Sequence, residues 1–140
     1  MTLSPFHLAI PVKDIESTRI FYTETLGCSV GREASRWIDF NFFGHQVSAH
    51  IKPEALIDTK TNPVDGESIP VRHFGIVLEW DAWHQLVERL NNQHFEYLIQ
   101  PTIRFANEVG EQAIFFLSDP SNNALEFKSF KDSSQLFFSG

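Results

Sequence analysis

The sequence is poor in cysteine and in positive charge. Cys28 is the single cysteine among 140 residues, so an internal disulfide is excluded and a reducing, cytoplasmic location is expected. Eleven Lys and Arg residues against eighteen Asp and Glu residues give a formal net charge of −7. That acidic balance argues against nucleic acid or an anionic membrane surface as partner, because both carry negative charge. A small-molecule substrate is the partner we expect.

Long apolar runs are also missing from the sequence. No stretch approaches the roughly 18 residues of a membrane-spanning helix, and charge appears too early for a signal peptide. A chain of 140 residues suits one globular domain, over residues 1–140, with a sizeable core. What is plentiful is phenylalanine, at fourteen residues, which favours strands and an aromatic interior.

The chain divides into two similar halves, each of which reads as a strand, a helix and about three further strands. The first module covers about 5–51 and the second about 72–130, with a connector at 52–71 and a tail at 131–140. Superposing the halves pairs His7 with His73, at an offset of 66 residues. A period of this length indicates a duplicated supersecondary module rather than a solenoid repeat. The fold class predicted is therefore α+β, built from two βαβββ modules.

Both predicted helices have recognisable ends. The first is predicted over 15–26, with Asp14 as N-cap and Gly27 at the following position, where left-handed backbone is favoured. The second is predicted over 82–92, with Asp81 as N-cap and apolar residues spaced for one helical face.

The strands are predicted from alternating polar and apolar residues, and the alternation also says which residues share a face. His7, His73 and Glu126 all fall opposite the bulky apolar residues of their strands, and so does His50 at the end of the first module. We expect the apolar faces to pack under the helices and the polar faces to line a cavity. Two imidazoles and one carboxylate are the donors of a facial metal site, which leaves coordination positions open.

Simpler interpretations exist for several of these residue types. A single histidine on a strand is more often hydrogen-bonded or half-exposed than a ligand, and we expect this of His45, His84 and His94. Cys28 is expected to be a buried structural thiol rather than a nucleophile.

Arg104 has two interpretations of its own. Close to a cavity, it would hold an anionic substrate by a bidentate contact. On the surface, it would pair with Glu108 or Glu111 instead. Both interpretations stay open at this point, and Arg104 is kept as a candidate substrate-binding residue.

Two phrases in the sequence resemble a known family. Phe21-Tyr22 with Leu26-Gly27, and the segment Asp-Pro-Ser-Asn-Asn-Ala-Leu-Glu-Phe at 119–127, look like the vicinal oxygen chelate superfamily. Its members include glyoxalase I, bleomycin-resistance proteins, fosfomycin-resistance enzymes and extradiol ring-cleaving dioxygenases. The resemblance covers about 5–130, and the stretches 44–50 and 123–128 look most like small extradiol dioxygenase-like proteins.

The resemblance implies that the two modules form curved mixed sheets around a metal-binding cavity. It also implies that His7, His73 and Glu126 are the metal ligands, and that the protein is a homodimer. An apolar tail at 136–138 points to the same oligomer. Whether the modules pair within one chain or between two is left open.

Three functions are compatible with this ligand set. The favoured one is an extradiol dioxygenase-like enzyme holding Fe(II), with His50 as a general acid–base and a substrate that chelates through two adjacent oxygens. The second is a glyoxalase-like isomerase or lyase using Ni, Zn or Mn as a Lewis acid, with His50 as a fourth ligand. The third is a non-catalytic small-molecule binding or resistance protein, which the retained ligand set disfavours.

Overall fold

The structure, a computed structural model, describes residues 3–56, 60–64 and 67–139. Its strands in chain order are β1 (His7–Val12), β2 (Ser29–Ala34), β3 (Trp37–Phe42), β4 (His45–Ile51), β5 (Lys60–Val64), β6 (Glu67–Val71), β7 (Phe74–Val77), β8 (Ile99–Arg104), β9 (Gln112–Ser118) and β10 (Ala124–Phe130). The helices are α1 (Ile15–Ile20), which continues as a π-helical turn at Phe21–Thr25, and α2 (Trp80–Asn92). Short 3₁₀ turns lie at Pro53–Ala55 and Ser133–Gln135. In the described part of the chain, no helix is both long and apolar enough to cross a membrane.

The chain forms two compact units. The first comprises Met1–Asp58 together with Asp119–Asn123, and the second comprises Thr59–Ser118 together with Ala124–Gly140. Each contains a four-stranded mixed sheet, and each follows the order strand, helix, three strands. The predicted α+β class with two βαβββ modules is thereby confirmed. The predicted connector contains a further element, the antiparallel hairpin β5–β6.

The first sheet has the strand order β1-β4-β3-β2, with β1 parallel to β4 and the other pairs antiparallel. One face is apolar and buried, because alternate residues such as Val12, Ile38 and Val47 point to the same side. Tyr22 from the π-helical turn packs on this face, with its ring stacked on Phe40 at a centroid distance of 4.8 Å.

The second sheet has the order β7-β10-β9-β8, with β7 parallel to β10 and the remaining pairs antiparallel. Phe115 and Phe127 stack at 5.0 Å in its buried face. Trp83 of α2 covers them, and its ring nitrogen donates to the backbone carbonyl of Phe127 at 2.9 Å. This bond removes the cost of burying the indole N–H.

The helix ends confirm one predicted cap and correct another. Asp14 accepts from the backbone N–H of Ser17 at 2.7 Å, and Gly27 has a φ of +84°, as predicted. The α2 helix begins earlier than predicted, so Glu79 is its N-cap residue and Asp81 lies in the first turn. The reason is the backbone bond from the N–H of Trp83 to the carbonyl of Glu79, at 2.9 Å, which already closes the first helical turn.

The end of the apolar tail is mostly exposed. Phe137 is 90% exposed and Phe138 is 58% exposed, so neither ring is docked on its own chain.

Candidate functional site

The first sheet presents a polar face opposite its buried one. Strand alternation and register place these side chains in three rows across β1, β4 and β3. The rows are His7–Gln46–Asn41, Ala9–Ser48–Asp39 and Pro11–His50–Trp37. We call this surface the polar face of the first sheet.

His7 stands at one end of this polar face and is held by a neighbour. Its Nδ1 lies 2.7 Å from the side-chain carbonyl oxygen of Gln46. Because a carbonyl oxygen can only accept, Nδ1 carries the proton and donates it. The neutral ring therefore has its lone pair on Nε2, the atom that would coordinate a metal.

His73 and Glu126 form a close pair in the second unit. The Nδ1 atom of His73 lies 2.6 Å from the backbone carbonyl of Pro70, so Nδ1 donates. Its Nε2 lies 3.2 Å from a carboxylate oxygen of Glu126. The two side chains are 28% and 14% exposed. With the ring neutral and the carboxylate ionised, both facing atoms are acceptors, so either a proton or a cation satisfies them.

Two further contacts fix the surroundings of this pair. The His73 ring packs edge-on against Phe116 at 4.9 Å between centroids. The Nζ atom of Lys128 lies 3.8 Å from the second carboxylate oxygen of Glu126 and partly balances its charge. The donor set of the pair, one imidazole nitrogen without a proton and one carboxylate, fits a divalent metal.

The structure brings two of the three expected ligands together and places the third in the other unit. Among residues 3–56, 60–64 and 67–139, no group of three or more His, Cys, Asp or Glu side chains is arranged to hold a metal ion. The assignment of His7, His73 and Glu126 to one metal stays a prediction.

His50 lies on the polar face of the first sheet, as alternation predicted, and its side chain is exposed. It is in register with Pro11, four residues from His7 along β1. At roughly 3.3 Å per residue, the two rows are about 13 Å apart. Within the described residues, the side chain of His50 makes no hydrogen bond or ion pair, which suits a group that exchanges protons with a ligand.

Arg104 is the last residue of β8 and is half-buried. Its guanidinium lies over the ring of Phe105, 5.3 Å from the centroid. Glu111, one of its two expected surface partners, pairs with Lys131 at 3.6 Å and accepts from the backbone of Asn107. A role for Arg104 in substrate binding stays a prediction.

Three residues expected to be structural are so placed, and a fourth, His94, is exposed just after α2. His45 accepts from the backbone N–H of Phe6 at 2.7 Å, and His84 donates to the carbonyl of Trp80 at 2.8 Å. Cys28 is a buried free thiol. The sequence interpretation missed Asp39 and Gln46, whose side chains hydrogen-bond at 3.1 Å on the polar face of the first sheet. Alternation placed both residues on polar faces, but only strand register shows that they meet.

A family model and a solved structure that match this chain carry the same family description. Residues 4–127 match the model of the Glyoxalase/Bleomycin resistance protein/Dioxygenase superfamily. A glyoxalase/bleomycin resistance protein/dioxygenase from Alicyclobacillus acidocaldarius is 32% identical, with a TM-score of 0.77 and 96% of each chain covered. No curated protein matches the chain in sequence.

Two solved structures of lower identity share the fold. The fosfomycin resistance protein FosX from Listeria monocytogenes is 17% identical, with a TM-score of 0.68, and the match covers 97% of this chain and 100% of that one. Lactoylglutathione lyase from Agrobacterium tumefaciens is 13% identical, with a TM-score of 0.64 and 97% of each chain covered. At these identities the likeness extends to the fold alone.

Proposed function

Because this chain belongs to the glyoxalase/bleomycin resistance protein/dioxygenase superfamily, we propose that it is a metal-dependent enzyme of the extradiol dioxygenase type. Members of the superfamily use divalent metals. The proposed ligands are His7, His73 and Glu126, the favoured metal is Fe(II), and the substrate is a small molecule with two adjacent oxygens. Extradiol cleavage of an aromatic ring breaks one ring carbon–carbon bond and places both atoms of O₂ in the product, so no external reductant is needed.

The observation that carries the proposal is the pairing of His73 with Glu126. Their facing atoms, 3.2 Å apart, are both acceptors in the ordinary charge states of a neutral imidazole and a carboxylate. A pair of this kind accepts a proton or a cation between its facing atoms, and a divalent metal is the cation that we propose. The hydrogen bond to the Pro70 carbonyl keeps the Nδ1–H of the ring from turning towards Glu126. His7 supports the proposal independently, because its Nε2 is also left without a proton.

The chain's own residues then have distinct tasks. When bound, the metal would supply a Lewis-acid centre for a substrate that chelates through adjacent oxygens. The exposed imidazole of His50 is proposed to take and return a proton of the substrate hydroxyl. Arg104 is proposed to hold an anionic group of the substrate.

The test is metal analysis combined with oxygen uptake, on protein purified without an affinity tag or chelator. Stoichiometric iron, with O₂ consumed when a catechol is added, supports the proposal. Stoichiometric nickel, zinc or manganese without oxygen uptake overturns the dioxygenase assignment in favour of Lewis-acid isomerase or lyase chemistry. Protein that takes up no metal overturns the metal site.

Single replacements test the ligand set. His7→Ala, His73→Ala and Glu126→Ala should each abolish stoichiometric metal binding while the chain stays folded. His84→Ala is the matched control, because that imidazole bonds only within its own helix in the contacts described. Full metal content in the Glu126→Ala protein would contradict the assignment.

A further inference from the structure

Three side chains on the polar face of the first sheet form a hydrogen-bonded series from His7 through Gln46 to Asp39. We propose that Asp39, acting through Gln46, fixes the ring tautomer of His7 and thereby makes its Nε2 a metal ligand. Asp39 and Gln46 are positioning residues in this inference, which rests on the proposed metal site.

The orientation of the Gln46 amide follows from Asp39. A carboxylate can only accept hydrogen bonds, and one oxygen of Asp39 lies 3.1 Å from the side-chain nitrogen of Gln46. The amide nitrogen of Gln46 therefore faces Asp39, and its carbonyl oxygen faces His7 at 2.7 Å. Because the oxygen that faces Nδ1 of His7 can only accept a hydrogen bond, Nδ1 is the protonated nitrogen of that ring.

Asp39 is itself held in place. The hydroxyl of Ser48 donates to its other carboxylate oxygen at 2.6 Å, and Ser48 is only 5% exposed. Strand register supplies this geometry, because Ser48 and Asp39 are direct partners in the antiparallel pair β3–β4. Partial burial strengthens such charge-assisted bonds, so the carboxylate has one preferred orientation.

Without Asp39, nothing in this series would distinguish the two ends of the Gln46 amide. A flipped amide would donate to Nδ1 of His7 and push the ring proton onto Nε2, where it blocks coordination. His73 needs no such helper, because its Nδ1 donates to a backbone carbonyl, that of Pro70, which cannot flip. The two imidazoles reach the same tautomer by different means, and only the first depends on a remote carboxylate.

The test measures the tautomer of His7 in metal-free protein. Long-range ¹H–¹⁵N spectra of histidine-labelled protein distinguish the protonated ring nitrogen from the bare one, and the His7 signals are assigned by their loss in His7→Ala. Wild-type protein should show the proton on Nδ1. Gln46→Leu should lose that preference because Nδ1 has no acceptor there, and Asp39→Ala should lose it because the Gln46 amide can then flip. In both variants the affinity for the metal should fall by about 10–100-fold, as for other residues that orient a ligand.

The matched variant exchanges the carboxylate of Asp39 and the amide of Gln46. Combining Gln46→Glu with Asp39→Asn puts a carboxylate beside His7 and an amide behind it, so Nδ1 still finds an acceptor. This double variant should keep the wild-type tautomer and an affinity within a few-fold of wild type. The inference would be overturned if Gln46→Leu or Asp39→Ala kept the proton on Nδ1, or if the exchanged pair lost it.

The two readouts separate this inference from the proposed function. Wild-type protein that binds no metal would overturn the metal site, while the tautomer spectra would still decide the role of Gln46 and Asp39. Circular dichroism monitors folding of each variant. If Gln46→Leu does not fold, the exchanged pair decides alone, because it preserves both hydrogen bonds of the series.

Discussion

The backbone carbonyl of Glu126 occupies the space that a side chain on Gly75 would need. The two residues are register partners in the parallel pair β7–β10. A Cβ atom at position 75 would lie 1.6 Å from the carbonyl oxygen of Glu126 and 2.6 Å from its carbonyl carbon. Glycine therefore allows β7 to lie close to β10, and this places His73, just before β7, within reach of the Glu126 carboxylate.

We expect Gly75→Ala to displace β7 and to separate His73 from Glu126. Overpacking of this kind costs about 1–3 kcal/mol, so the free energy of unfolding should fall by that amount, and metal affinity should fall with it. Denaturant unfolding and metal titration measure the two effects. Gly31→Ala is the control for the free energy of unfolding, because its Cβ would meet its nearest neighbour, in Asp39, at an ordinary 3.5 Å. Wild-type stability and affinity in Gly75→Ala would contradict this account.

Tyr22 and Asp119 make a buried contact in the first unit. The Tyr22 hydroxyl donates to Asp119 at 2.9 Å, and the other carboxylate oxygen accepts from the backbone N–H groups of Ser121 and Asn123. Burial raises the pKa of Asp119, while these hydrogen bonds, including the one from Tyr22, act to lower it. The hydroxyl of Tyr22 therefore favours the ionised carboxylate.

Tyr22→Phe should reduce the free energy of unfolding at neutral pH by about 1–3 kcal/mol, the usual cost of removing a partner from a buried polar group. Losing this donor raises the folded-state pKa of Asp119 further. The loss of stability in Tyr22→Phe should therefore be largest above that pKa and should shrink as pH falls through it. The reason is that the Tyr22 hydroxyl stabilises a protonated Asp119 carboxyl less than an ionised one. Denaturant unfolding between pH 4 and pH 8 measures this trend. Tyr97→Phe is the control, because the Tyr97 hydroxyl bonds the exposed side chain of Asn91 at 2.8 Å and contacts the Val87 carbonyl only at 3.4 Å. Neither acceptor titrates between pH 4 and pH 8, so the effect of this change should be small and should not vary with pH.

Local pattern was sufficient for the fold class and for the faces of the candidate ligands. Alternation in a strand has a period of two residues, so the sides of the sheets occupied by His7 in β1 and Glu126 in β10 follow from their immediate neighbours. His73 was predicted to lie within a strand, but it lies just before β7, which begins at Phe74. The Asp14 cap was also predictable, because it depends on residues three positions apart.

Two features that could not be predicted depend on the register between strands. Gln46 meets Asp39 only because β3 and β4 pair in one particular register. The close approach of Gly75 to Glu126 likewise joins residues about fifty positions apart. The start of α2 at Trp80 was missed for another reason: Glu79 caps the helix without a side-chain hydrogen bond, so it leaves no capping signal in the sequence.

We expect the protein to be a homodimer at micromolar concentration. Phe137 and Phe138 expose most of their surface, and exposed apolar side chains close together are typical of protein interfaces. Light scattering should give twice the chain mass of 16.1 kDa. Replacing both residues with serine should shift the protein towards the monomer, whereas Leu3→Ser, at another exposed apolar position, should not. A monomeric mass for the wild-type protein would contradict the expectation.

The last prediction separates the two possible roles of His50. The rows of His50 and His7 lie about 13 Å apart along the first sheet, and the exposed ring makes no hydrogen bond within the described residues. This placement favours a proton-transferring group over a fourth ligand beside His7. His50→Ala should therefore keep stoichiometric metal while kcat falls by about 10²–10⁴-fold, the usual contribution of a general acid–base. His50→Gln, which keeps a polar side chain but cannot transfer a proton at neutral pH, should lower kcat by as much.

Both variants are checked by measuring their metal content and their turnover. The substrate for turnover is a compound with two adjacent oxygens that gives oxygen uptake with the wild-type protein. Loss of the metal in His50→Ala, or a structure with a His50 ring nitrogen about 2.0–2.1 Å from the metal, would make it a ligand instead. The centre would then have fewer open positions, and Lewis-acid chemistry would be the better assignment.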